Sequence, residues 1–112
     1  MTVNELAKLI DAGLLNGAAG ENEIKCGYAC DLLSWVMAHG SDGMAWITVQ
    51  THMNVIAVAS LHEMSCVIIP EGITVEQEVL DKAAEEGIAV LGTKLDAYRI
   101  CGKMAEAGIG AA

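Results

Sequence analysis

The chain contains no phenylalanine, a single proline (Pro70) and a single arginine (Arg99), and aromatic residues make up only 4% of it. With so few large rings, a core has to be built from aliphatic side chains and methionine, which fill space without fixed ring geometry. Cations are as scarce: Lys and Arg number 6 against 15 Asp and Glu, a formal net charge of −9. An acidic surface repels phosphate backbones and anionic lipid, so neither nucleic-acid nor membrane-surface binding is expected. No apolar run reaches the ~18 residues of a membrane-spanning helix. The longest candidate, Met53 to Leu61, is interrupted by Asn54 and Ser60. The opening residues, among them Thr2, Asn4 and Glu5, have no basic region of the kind that starts a signal peptide, and a cytoplasmic protein is expected.

What is present is material for one core. A chain of 112 residues, 54% hydrophobic and 19% charged, suits a single domain over 1–112 rather than disorder or two cores. Of the four cysteines, Cys66 lies inside the apolar run Cys66-Val67-Ile68-Ile69, where a thiol behaves as a small hydrophobe. Reduced cysteines are the expectation for an intracellular chain.

Thr2-Val3-Asn4-Glu5 has the form of a capping box, and Leu6, Leu9 and Ile10 follow at helical spacing. A short strand is predicted over 23–27 and a helix over 31–39. From there strand, loop and helix repeat three times at a spacing of roughly 22 residues, with core strands at about 44–49, 65–69 and 88–92. Helices are predicted over 53–63, 74–86 and from Thr93 to near Gly108. This is the pattern of an α/β fold, a small three-layer domain with a mainly parallel sheet and flanking helices. Strands this continuously hydrophobic are expected to be covered on both faces.

In open α/β sheets ligands sit outside the carboxyl ends of the strands. Three polar loops meet that description: Gln50-Thr51-His52-Met53-Asn54, Pro70-Glu71-Gly72-Ile73-Thr74 and Gly92-Thr93-Lys94-Leu95-Asp96. Thr51, Thr74 and Thr93 suit helix caps. Gln50, Thr51, His52 and Asn54 exceed what a cap requires and also suit donors to a ligand. The candidate ligand-binding residues are thus Gln50, Thr51, His52, Asn54, Glu71, Gly72 and Thr93. No catalytic residue, metal ligand or cofactor is assigned.

Four other features carry weaker signals. His52 suits a general base only with a partner, and Glu71 or Asp96 would have to reach it across the loops. Cys26-Gly27-Tyr28-Ala29-Cys30 has three residues between its thiols, not the two of a zinc ribbon, and no second pair follows. The simpler interpretation is two half-buried thiols beside a tight glycine turn. The glycines of 13–20 lack the Gly-Lys-Ser/Thr ending of a phosphate-binding loop. Trp35, Met37, Met44 and Trp46 cluster around the Gly40–Gly43 turn, either as core or as a self-association patch.

Two stretches, Gly27-Tyr28-Ala29-Cys30-Asp31-Leu32-Leu33-Ser34 and Ala45-Trp46-Ile47-Thr48-Val49-Gln50-Thr51-His52-Met53-Asn54-Val55, resemble the DRTGG domain family. The resemblance continues through Val67-Ile68-Ile69-Pro70-Glu71-Gly72 and Gly87-Ile88-Ala89-Val90-Leu91-Gly92-Thr93. Asp31 and Ser34 match the family's Gly-Asp-x-Leu-Ser segment, and Asn54 stands where an aspartate is usual. Where the family carries its naming Asp-Arg pair this chain has Thr51-His52, and in place of Thr-Gly-Gly it has Pro70-Glu71-Gly72. That family is similar in fold to the N-terminal domain of HPr kinase/phosphorylase. Its members accompany CBS pairs in nucleotide-regulated pyrophosphatases and occur inside long phosphotransacetylases. Freestanding versions resemble proteins encoded near iron hydrogenase subunits. The resemblance implies a non-catalytic regulatory or scaffolding domain, a homodimer, and either a small ligand, phosphorylated or not, or a protein partner. The alternatives are a metal or redox accessory protein using Cys26 and Cys30, or an enzyme built on His52.

Overall fold

Thr2 opens the first helix, α1 (Val3–Leu9), as its sequence predicts: the Thr2 hydroxyl accepts from the Glu5 amide and the Glu5 carboxylate accepts from the Thr2 amide. In the computed structural model, which describes residues 1–112, the chain continues through β1 (Gly13–Leu14), β2 (Cys26–Ala29), α2 (Leu33–His39), β3 (Met44–Ile47) and α3 (Met53–Leu61). It ends with β4 (Cys66–Ile69), α4 (Gln77–Glu85), β5 (Ala89–Gly92) and α5 (Ala97–Glu106). The strands form one sheet in the order β1-β5-β4-β3-β2, parallel except for the short β1, which pairs antiparallel to β5. The expected three-layer α/β architecture with a mainly parallel sheet is therefore present. No helix is long and apolar enough to cross a membrane.

Alternation along the strands divides the core in two. Met44, Trp46, Val67, Ile69, Ile88 and Val90 face α2, α3 and α4; Ala45, Ile47, Cys66, Ile68, Ala89 and Leu91 face α1 and α5. Pairing register aligns Ala45, Cys66 and Ala89 across three adjacent strands, so small side chains floor the α1/α5 layer and let those helices approach closely. On the opposite face the matching row is Tyr28, Trp46, Val67 and Val90.

Several expected boundaries move. The strand expected at 23–27 lies at Cys26–Ala29, because the preceding amides bond elsewhere: Ile24 to the Met1 carbonyl and Lys25 to that of Gly43. The strand expected to run to Val49 stops at Ile47, where Thr48 turns the chain. None of Thr51, Thr74 and Thr93 is a helix cap. His52 caps α3 through Nδ1, Asp96 caps α5 through its carboxylate, and α4 starts after Glu76 with no side-chain cap. The tryptophan cluster also splits. Trp46 and Met44 are fully buried, whereas Trp35 and Met37 are exposed.

Candidate functional site

Two buried threonines end β3 and β5, the strands on either side of β4, in the same way. The Thr48 hydroxyl accepts from the Gln50 amide and the Thr93 hydroxyl from the Leu95 amide, each at 3.2 Å. A threonine bonded to the amide two residues on is a compact turn that redirects the chain out of the strand. Each hydroxyl also donates sideways, Thr48 to Asp31 Oδ1 at 2.9 Å and Thr93 to the Ile10 carbonyl at 2.8 Å. Thr93 thus has no free donor for a ligand; it shapes a wall.

Asp31 ties the loop after β2 to the loop after β3. Its Oδ1 accepts from the Val49 amide as well as from Thr48, and its carbonyl accepts from Gln50 Nε2. The loops after β4 and β5 are laced by backbone alone: the Glu71 amide donates to the Leu95 carbonyl and the Gly72 amide to that of Thr93, both at 2.9 Å. The carboxyl-end surface is therefore held by bonds within the chain before anything binds.

The order of the strands decides where that surface opens. The helices following β2, β3 and β4 all cover one face, whereas α5, following β5, covers the other. Chains leaving β4 and β5 consequently part to opposite sides, the arrangement that makes a crevice in a parallel sheet. A cleft of about 560 Å³ lies there, lined by Gly72, Thr74, Thr93 and Lys94, with Asp11 and Leu15 from the β1 side. Gly92 makes room for the Leu15 side chain in its wall: a Cβ at that position would stand 2.8 Å from Leu15 Cδ1. The amides of Thr74 and Val75, which also line it, have no partner within the chain, and Lys94 makes no ion pair. Amide donors and an ammonium group together suit an anionic ligand.

A second, separate cleft of about 370 Å³ holds Gln50, Thr51 and His52 opposite Glu76 and Glu78. The segment 74–76 stands between the two. The seven candidate residues thus do not form one site. Gly72 and Thr93 line the first cleft, Gln50, Thr51 and His52 the second, and Asn54 and Glu71 neither. His52 Nδ1 accepts from the Asn54 amide at 3.1 Å, so that nitrogen caps a helix. Neither Glu71 nor Asp96 shares its cleft, and Asp96 is bonded to Arg99. Cys26 and Cys30 are separated by four residues of extended chain, about 13 Å, beyond disulfide reach. No three His, Cys, Asp or Glu side chains come together in metal-binding geometry. Lys94, Thr74, Asp11 and Asp31 were not among the candidate residues. Lys94 carried a signal, as one of only six cations directly after a strand end.

The sequence profile of the DRTGG domain family matches residues 5–107. The chain belongs to the DRTGG domain family. The crystal structure of the CBS and DRTGG domains of the regulatory region of Clostridium perfringens pyrophosphatase, complexed with the activator diadenosine tetraphosphate, is similar at a TM-score of 0.70 and 15% identity. The match covers 92% of this chain and 45% of that one, so this chain spans less than half the length of that protein's regulatory region; at this identity the likeness shows the fold. No curated protein matches in sequence.

The turn after β4 carries backbone strain. Glu71 and Gly72 are both left-handed, with φ of 60° and 68°. Two glycines would suit such a pair, whereas Glu71 carries a Cβ there at a cost of about 1–2 kcal/mol. A glycine would relieve that strain and lose roughly 0.5–1 kcal/mol to its freer unfolded chain. Glu71→Gly is therefore expected to stabilise the fold by about 0.5 kcal/mol net, raising the melting temperature by a few degrees. A lowered melting temperature would contradict the strain at this position.

Proposed function

We propose that this DRTGG domain is a non-catalytic regulatory or scaffolding unit that works as a homodimer and senses a small phosphorylated molecule at the cleft between β4 and β5. The observation that carries the ligand half is the coincidence of the largest cleft with the point where the chain parts to opposite faces of the sheet. Lys94 and the unpartnered amides of Thr74 and Val75 supply the donors, and the laced loops supply rigidity. The pyrophosphatase neighbour, whose regulatory region is complexed with diadenosine tetraphosphate, favours a nucleotide among phosphorylated ligands. The Gln50–His52 cleft suits an anion less well, because Glu76 and Glu78 face it with no Lys or Arg, whereas the first cleft sets Lys94 against the single carboxylate of Asp11.

A thermal-shift screen of the reduced protein against adenine and guanine nucleotides, dinucleoside polyphosphates and acyl phosphates tests this. A ligand at 100 times its dissociation constant adds about 2.7 kcal/mol, several degrees for a domain of this size. The expected outcome is a shift that Lys94→Ala abolishes and His52→Ala retains. Loss on His52→Ala with retention on Lys94→Ala moves the ligand to the other cleft. A flat screen overturns the ligand half and leaves a protein partner as the regulatory input.

A further inference from the structure

Two adjacent helices of the outer layer lack charge altogether. α2 (Leu-Ser-Trp-Val-Met-Ala-His) and α3 (Met-Asn-Val-Ile-Ala-Val-Ala-Ser-Leu) contain no Asp, Glu, Lys or Arg, in a chain that is 19% charged. A helix apolar all round ordinarily lies buried on every side. α3 does not: Asn54, Ala57 and Leu61 are exposed, Leu61 by 66%. α2 adds Trp35, exposed by 53%, and Met37, by 42%. The carboxyl ends of the two helices are joined, with His62 Nε2 donating to the Met37 carbonyl at 2.8 Å. Beyond the carboxyl end of α3 the exposed Glu63 makes no ion pair, while beside the helix Lys82 Nζ lies 3.1 Å from Glu86 Oε1 and Ser60 donates to the same carboxylate.

We infer that the uncharged α2–α3 face is where a second copy of this chain docks, α3 packing antiparallel against α3 around Ala57. This deepens the homodimer half of the proposed function by naming the surface. Charge decides the occupant. Two copies each of net charge −9 repel wherever their acidic surfaces meet, so self-association needs a face without formal charge. A basic partner would instead be drawn to the acidic surface, for example to α4 with Glu78, Asp81 and Glu85.

The face also has the right layout for a twofold contact, in which one patch must complement itself. Ala57, midway along the exposed stripe, allows close approach at the axis. Antiparallel pairing about it brings Leu61 of one copy over Met53 of the other. There a groove of about 160 Å³, with Met53, Ile56 and Ala57 on its apolar side and Ser60 and the paired Lys82 and Glu86 on its other side, is open to receive a side chain. Helices of 7 and 9 residues offer less than the roughly 800 Å² per partner of a standard interface, so the dimer is reversible.

Sedimentation equilibrium of the full reduced chain, from low micromolar to millimolar, tests the inference alongside Ala57→Glu, Leu61→Glu and a control charge on the opposite layer, Lys103→Glu. Circular dichroism verifies that the variants fold, as expected for exposed positions. The wild type and Lys103→Glu should dimerise, more tightly as salt screens the net charge, with Trp35 emission moving to the blue as concentration rises. Ala57→Glu and Leu61→Glu should each weaken association more than tenfold and abolish the emission shift. A dimer that persists in both glutamate variants overturns this face while leaving the homodimer reading intact. A wild type monomeric throughout overturns both.

Discussion

Replacing Trp46 by alanine is expected to remove about 3–5 kcal/mol of stability, the range for truncating a large buried aromatic residue. Trp46 is fully buried at the centre of the Tyr28–Trp46–Val67–Val90 row. Its Nε1 donates to the Cys30 carbonyl at 2.8 Å, immediately before the Asp31 that holds the loop after β3. The substitution therefore leaves both a cavity and a carbonyl without its partner. Against a typical total of about 5–15 kcal/mol, that loss is a large fraction of the stability, and it leaves much of the chain unfolded where the total lies near the lower end. Trp46→Phe separates the two contributions. It keeps most of the packing and loses the hydrogen bond, for a cost of about 1–3 kcal/mol, with the Asp31 loop loosened first. Urea denaturation measures the first effect and amide exchange at Val49 and Gln50 the second. A loss below about 1 kcal/mol for Trp46→Ala would mean that the outer layer does not depend on this side chain for its packing.

Alkaline pH should unfold the protein through Cys66. Burial pushes this thiol from its ordinary value of 9.0 up to about 12, because the thiolate would lie in the apolar floor between Ala45 and Ala89 with no counter-charge. The folded state then holds a proton that the unfolded state has released, and stability falls as pH rises. The stabilising contribution is complete below about pH 9 and is lost on approach to pH 12. Three units at about 1.36 kcal/mol each amount to a loss of about 4 kcal/mol. Melting temperature against pH for the wild type and Cys66→Ala checks this: the variant should be somewhat less stable at neutral pH and lose much less above pH 9. Parallel curves would assign the alkaline loss to other groups. The same burial predicts that Cys66 reacts with thiol reagents only as fast as the fold opens.

The anionic surface constrains both halves of the proposed function. It repels an anionic ligand except where cationic or amide donors are unpartnered, such as Lys94 and the amides of Thr74 and Val75, and under the proposal it leaves the uncharged helices α2 and α3 for self-association. The two surfaces are distinct, so ligand binding and dimerisation can be measured separately, and coupling between them appears as a ligand-dependent dimer constant.

Hydrophobic periodicity and turn residues alone determined the α/β class, the three parallel core strands and the helices between them. These are local properties of the chain: continuous apolar runs such as Cys66–Ile69, the capping box at Thr2, and the stops at Gly40, Gly87 and Gly108. Tertiary structure decided the rest. The pairing of Gly13–Leu14 with β5 joins residues nearly eighty positions apart, and a two-residue strand has no period to detect. Helix caps passed from the threonines to His52 and Asp96 because Thr48 and Thr93 turn the chain earlier, bonding to Asp31 and Ile10. The three strand-end loops became two clefts because α5 alone crosses to the other face after its strand. A sequence records that a helix follows a strand, but the face it covers depends on which long-range contacts bury its apolar stripe, here Ile100 and Met104 against the row of Ala45, Cys66 and Ala89.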